Sequence, residues 1–183
     1  AEPRAAACTA WALRADATTA AAQLALLGHP SLAGVTWLTL ATGPGTTVHD
    51  DPLAALCAAV PHGRLRVLDL SGMTLDASAL RRLARCVALE GLETLRLPWL
   101  NDDAVAALAE GTWPRLTTLA APRSQLDAQS AAMLAGSSRF PALVSLALPR
   151  SSLRSDALAA LTAGGRLTAL DVTDNQIDES RVA

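Results

Sequence analysis

Three histidines and three cysteines are the side chains of this 183-residue chain best suited to metal or nucleophilic chemistry. Their spacing serves neither purpose. His29, His49 and His62 fall in stretches that read as loops, and none has a Cys, Asp or Glu partner at ligand spacing. His49-Asp50-Asp51 could seat a metal ion or an acid–base pair. The simpler reading is a turn followed by a helix, with Asp51 as N-cap and Pro52 in the first turn, where its missing N–H costs nothing. Asp102-Asp103 is a carboxylate pair, but it stands where neighbouring segments place one capping Asp, so helix-start duty beside the helix dipole accounts for it. Gly43-Pro44-Gly45 lacks the G-x-x-x-x-G-K-S/T frame of a phosphate loop, and G-x-S-x-G, H-E-x-x-H and C-x-x-C are all missing. Cys8, Cys57 and Cys86 are an odd number without metal-ligand spacing, which reads as reduced, structural thiols in an intracellular setting. Cys57 and Cys86 fall on helices of adjacent segments, two positions out of alignment, so a disulfide between them is not expected. The chain reads as non-enzymatic, with no metal and no cofactor.

What the sequence does carry is a recurring L-x-x-L-x-L pattern. It stands as Leu65/Leu68/Leu70, Leu92/Leu95/Leu97, Leu143/Leu146/Leu148 and Leu167/Leu170/Val172, with a weaker copy at Leu116/Leu119/Ala121. Extended outward, the pattern starts at residues 8, 35, 65, 92, 116, 143 and 167, in steps of 24 to 30 residues. The first copy is ambiguous, because the alanine-rich Ala5–Leu13 stretch would also suit a helix. Within each unit the alternation predicts a short strand with one buried face. A further apolar residue follows five positions on, at Leu75, Leu126, Leu153 and Ile177. An acidic residue then marks a helix start, at Asp76, Asp102/Asp103, Asp127, Asp156 and Asp178. Helical spacing appears in Leu53/Leu56, Leu80/Leu83, Val105/Leu108 and Leu158/Leu161. Leu32, Leu89, Trp113 and Phe140 close their units from buried positions, and Trp11 reads as core.

This grammar resembles the leucine-rich-repeat family, in the ribonuclease-inhibitor-like class that has a helix in every repeat. The resemblance covers roughly residues 8–178, and LTALDVTDNQI at 167–177 fits the family pattern L-x-x-L-x-L-x-x-N-x-L except for Val172. It implies an α/β solenoid bent into a horseshoe arc, with a parallel concave sheet of about six to seven short strands and convex helices. One such domain would span 1–183, its last repeat incomplete. The other copies depart at the asparagine position, where Met73, Leu100, Ser124 and Ser151 stand, and a looser turn is expected there.

In that arrangement the strand residues between the leucines project together from the concave face, about 4.8 Å apart from strand to strand. The fifth position of each unit reads Ala12, Thr39, Asp69, Arg96, Ala120, Ala147, Asp171, and the eighth reads Ala15, Thr42, Gly72, Trp99, Arg123, Arg150, Asp174. Trp37 and Val67 hold third positions. Trp and Arg are the residue types that most often anchor interfaces, so the candidate partner-binding residues are Trp37, Asp69, Arg96, Trp99, Arg123, Arg150, Asp171 and Asp174. The alternative is internal pairing, Arg150 with Asp174 and Trp99 stacked on Arg123. Pro98, Pro122 and Pro149 precede the eighth position in three units and should end the strands there.

A net charge of −2 argues against general attraction to nucleic acid or anionic lipid. No apolar run reaches membrane-spanning length. Every basic residue is Arg, the chain has a single Phe, and its only Ile is Ile177, a bias typical of a GC-rich genome. The array stops near Asp178 where a helix should begin, so the expectation is that flanking sequence or another chain covers the open ends. The leading functional expectation is a scaffold that binds another protein on its concave face and C-terminal rim. The resemblance also admits a GTPase regulator similar to the Ran GTPase-activating protein, or the substrate-recognition segment of a larger bacterial effector or ubiquitin ligase.

Overall fold

The structure is a computed structural model that describes residues 10–15, 34–42, 47–48 and 50–175. The strands and helices alternate along most of it. β1 (Ala10–Ala15), β2 (Trp37–Thr42) and the short β3 (Thr47–Val48) lead into helix α1 (Asp50–Ala59). β4 (Val67–Gly72) and β5 (Thr74–Leu75) precede α2 (Ala77–Ala84) and a 3-10 turn at Val87–Leu89. The order then runs β6 (Thr94–Arg96), α3 (Asp102–Leu108), β7 (Thr118–Ala120), α4 (Ala128–Gly136), β8 (Ser145–Ala147), α5 (Ser155–Ala163) and β9 (Ala169–Asp171). Of the stretch whose helical alternative was open, the described part, from Ala10 on, is a strand. The expected α/β class with a parallel sheet is the observed one.

Seven strands form one sheet in the order β1-β2-β4-β6-β7-β8-β9, and every pair in it is parallel. β3 and β5 form a separate parallel pair. Register is set by burial. Leu38, Leu68, Leu95, Leu119, Leu146 and Leu170 lie side by side across the sheet, and the first five are at most 1% exposed. A slip of one residue would turn that whole column outward. Burying a leucine is worth about 1.5–3 kcal/mol, so such a slip is heavily penalised. Helix residues Leu53, Leu56, Leu80, Leu83, Val105 and Leu108 join these leucines in one core. The expected core residues Leu75, Leu126, Leu153, Leu89, Trp113 and Phe140 are all buried. Leu158, near the end of the described chain, is half-buried. Leu32 and Ile177 and the side chain of Trp11 lie outside what is described.

The strands of the main sheet differ in length, and proline follows three of the four short ones, the fourth being β9 at the edge of the sheet. β1, β2 and β4 each run six residues, whereas β6, β7 and β8 stop after three, before Pro98, Pro122 and Pro149. A proline there has no N–H to give the ladder. In β4 the extra length brings Gly72 against Ala41, with an irregular register between Thr39 and Ala41. A Cβ on Gly72 would fall 2.6 Å from the Ala41 Cβ, so glycine is required for this approach.

Helix starts correct several sequence expectations. Asp76 and Asp127 are N-caps, accepting from the backbone N–H of Ala79 and Ser130. For α3 the cap is Asn101, which accepts from Ala104 N–H at 2.9 Å, and Asp102 and Asp103 stand in the first turn. At α5 the cap position is Arg154, without a side-chain cap bond, and Asp156 lies inside the helix. α1 begins at Asp50, so Asp51 is a first-turn residue rather than the cap. Asp178 lies outside the described residues.

The cysteines give the largest correction: Cys57 and Cys86 form a disulfide, with Cα atoms 5.7 Å apart. Cys86 does not sit on a helix of the neighbouring segment: α2 ends at Ala84, and Cys86 leads into the 3-10 turn, which brings it to Cys57 of α1. Disulfides persist in oxidising compartments, which weighs against the reduced, intracellular reading. Cys8 lies outside the described residues. Because the bond closes a sequence separation of 29 residues, replacing both cysteines with alanine should lower stability by about 3–4 kcal/mol in urea denaturation. A separate prediction concerns acid. The Ser130 N–H holds the Asp127 carboxyl below its ordinary 3.8. Its stabilising contribution is complete above the unfolded value and is lost as pH falls through the lower folded value. Between about pH 5 and about pH 3, Asp127→Asn should therefore lose less stability than the wild type, as read from denaturation curves at each pH.

Candidate interaction surface

Alternation in the strands sends one set of side chains into the core and the other set to the opposite face. The register places Thr39, Asp69, Arg96, Ala120, Ala147 and Asp171 in one row and Trp37, Val67, Thr94, Thr118, Ser145 and Ala169 in another. The rows expected from the spacing are the rows observed at these positions.

Three of the candidate residues come together on β2, β4 and β6. The Arg96 guanidinium lies 5.8 Å from the centre of the Trp37 ring, which is 42% exposed. The same guanidinium approaches Asp69 Oδ2 at 3.4 Å. Asp69 is buried for a charged residue, and its other oxygen accepts from the backbone N–H of Ser71 at 3.0 Å and from the Ser71 hydroxyl at 2.6 Å. Every oxygen of the carboxylate therefore has a partner, which is what a buried charge requires. The result is an exposed indole with an arginine guanidinium near its ring, and that guanidinium is in turn paired with a buried carboxylate. Such a cluster presents an apolar ring at little conformational cost.

A second group lies where strands give way to turns. Arg123, Arg150 and Asp174 have φ of 60°, 53° and 58°, the left-handed region that favours glycine. The turns are nested by backbone bonds: Arg123 N–H donates to Pro149 O at 3.0 Å and Arg150 N–H to Thr173 O at 2.8 Å. Arg150 Nε lies 3.5 Å from Asp174 Oδ2, with both side chains well exposed, so this expected pairing is present. Exposed pairs of this kind contribute little to stability. The Arg123 side chain is exposed and, among the described residues, forms no ion pair.

Trp99 does not join either group. It is half-buried against the core, and the tryptophan that carries an arginine is Trp37, not Trp99. The reason lies in the backbone: Trp99 lacks the positive φ of its counterparts and so is not turned outward as they are. Asp171 stands three strands away from Arg96 in the same row. Its carboxyl is held low by the Thr173 hydroxyl and N–H and is exposed. His62 is exposed in a loop, while His29 and His49 lie outside the described residues. Among the described residues no group of three His, Cys, Asp or Glu side chains could hold a metal ion. No described helix is long and apolar enough to cross a membrane.

The turns are also not loose, contrary to expectation. The Ser124 hydroxyl donates to Ala121 O and accepts from Leu100 N–H, both at 2.8 Å. Ser151 Oγ accepts from Ser124 N–H at 2.8 Å. Asn175 closes the series, donating to Leu148 O and Val172 O at 2.8 Å and accepting from Leu153 N–H at 3.3 Å. A hydroxyl thus does the work expected of an amide, and the signal for it was the serine in the asparagine position. Met73 and Leu100 fill that position in earlier turns by simple burial.

The chain matches no protein-family model and no curated protein. Ser124→Ala would leave the Leu100 N–H buried without an acceptor, at a cost of about 1–3 kcal/mol. Thermal and urea denaturation should show that loss, and Ser124→Asn should recover part of it.

Proposed function

We propose that the chain is a leucine-rich-repeat solenoid of the ribonuclease-inhibitor-like class, curved into an arc, and that it acts as a non-enzymatic scaffold. Another protein binds across the strand face and the C-terminal rim. On that face the contact is Trp37 backed by Arg96 and Asp69. At the rim it is Arg123 and Arg150. Trp99, half-buried against the core, offers its exposed edge beside them.

The observation that carries this reading is the left-handed backbone at Arg123, Arg150 and Asp174. Glycine would sit there without strain, and an L side chain costs about 1 kcal/mol or more. Large charged side chains in such positions add nothing that the fold needs, because Arg123 has no ion-pair partner among the described residues and the Arg150–Asp174 pair is solvent-exposed. Their side chains are what the position provides. Proline at 122 and 149 stiffens the rim, which lowers the ordering cost of binding. Fork-shaped guanidinium groups on a rigid rim suit carboxylates of a partner.

The test separates binding from folding. Arg123→Gly/Arg150→Gly should leave unfolding free energy unchanged or raise it by up to about 1–2 kcal/mol, since strain is relieved at both positions. The same variant should lose a partner that the wild type captures from extracts of its source cells, as should Trp37→Ala. If both variants fold and retain the same partners as the wild type, the strand face and rim are not the interface.

A further inference from the structure

We propose that the open edge of β9 binds an extended segment of another protein, paired in parallel with it and carrying an arginine between two leucines. The proposal does not rest on the scaffold reading, which places its contacts on the strand face and the rim. Among the described residues β9 is the last strand of the main sheet, and three unfinished contacts meet along it.

The first is a hydrogen-bond series. The carbonyls of Thr36, Arg66, Glu93, Thr117 and Val144 stand just before their strands. Each accepts two consecutive N–H groups where the neighbouring strand begins, at 2.8–3.1 Å. Thr168 holds the same place before β9, and its carbonyl has no partner among the described residues. A sheet edge with unpaired peptide groups is a template for one more strand. Every strand pair joined by this double bond is parallel, which gives the added strand its direction.

The second is apolar. Leu143, Leu146 and Leu148 are at most 1% exposed, and Leu146 has Leu170 as its neighbour on β9. Their counterparts Leu167, Leu170 and Val172 are only half-buried. Leucines of an added strand would cover them, as each strand of the sheet covers the one before.

The third sets the charge. Asp69 and Asp171 share one row, and each gives one oxygen to the N–H and hydroxyl two residues on, of Ser71 and of Thr173. The second oxygen of Asp69 meets the Arg96 guanidinium, which the register of β4 and β6 brings opposite it. The second oxygen of Asp171 has no partner among the described residues, and the residue is exposed. The sheet thus contains a pattern for the added strand in Leu95-Arg96-Leu97, with arginine on the carboxylate row and both leucines buried. A second copy pairing β9 with β9 would bring no cation to Asp171 and would set two carboxylates on one face.

The experiment uses the full chain and a fluorescent peptide copying residues 91–98, followed by anisotropy at low salt. The peptide should bind saturably below about 1 mM. Its Arg96→Glu form should bind about tenfold more weakly, since attraction becomes repulsion. Methylating the peptide nitrogen at the Thr94 position, one of the two that would donate to Thr168, should abolish binding. In the protein, Asp171→Asn should weaken the unmodified peptide about fivefold. Asp171→Arg should reverse the preference in favour of the Glu form. The peptide changes leave the protein untouched, so they decide the matter even where an Asp171 variant does not fold. No saturable binding, or binding indifferent to the peptide's charge, to its methylation or to Asp171→Asn, would overturn the proposal. So would self-association in sedimentation that Asp171→Arg removes, which would give the edge to a second copy.

Discussion

Parallel pairing in strict register is the constraint on which the rest of this structure depends. Each strand of the main sheet sets its residues beside their counterparts on the next, so a column of leucines becomes a continuous apolar seam. The seam is buried because helix leucines meet it from one side. Once it is fixed, the intervening residues have no choice of face. Trp37, Asp69 and Arg96 become neighbours through that pairing, although 59 positions separate the first from the last in sequence. A polar cluster of this kind costs the chain nothing in topology, since it comes with the burial of the residues beside it.

Polar groups in the turns hold the second half of the sheet in a different way. There the strands are short, and few backbone bonds join neighbours inside the sheet itself. Ser124, Ser151 and Asn175 pass hydrogen bonds from one turn to the next, several of them buried. A buried polar group is stabilising only when all its partners are present, so these turns are fixed in spacing as firmly as the leucines are. The left-handed residues at Arg123, Arg150 and Asp174 stand directly before these three side chains. Strain in the backbone and satisfaction of the turn are thus two sides of one geometry.

Much of this was legible in the leucine spacing. Strand positions, the residues that close each unit, and the rows on the open face follow from periods of two and of 24 to 30 residues, which burial enforces. Where the reading failed, the deciding physics was local and had no period. Asn101 caps α3 because it lies one residue ahead of the acidic pair, a shift that pattern alone does not resolve. Trp99 packs inward because its backbone differs from that of Arg123, and dihedrals are invisible in composition. The disulfide was missed because α2 ends early and the chain doubles back at Cys86. Ser71, which holds the buried Asp69 in place, carried no signal at all.

The change in strand length along the sheet gives the molecule a grain. Strands of six residues extend about 20 Å, and strands of three about half that. The long strands share their end of the molecule with the disulfide, while the short ones rely on side chains that reach between turns. One end is therefore braced by backbone pairing along whole strands, and the other by side chains that lock each turn to the next.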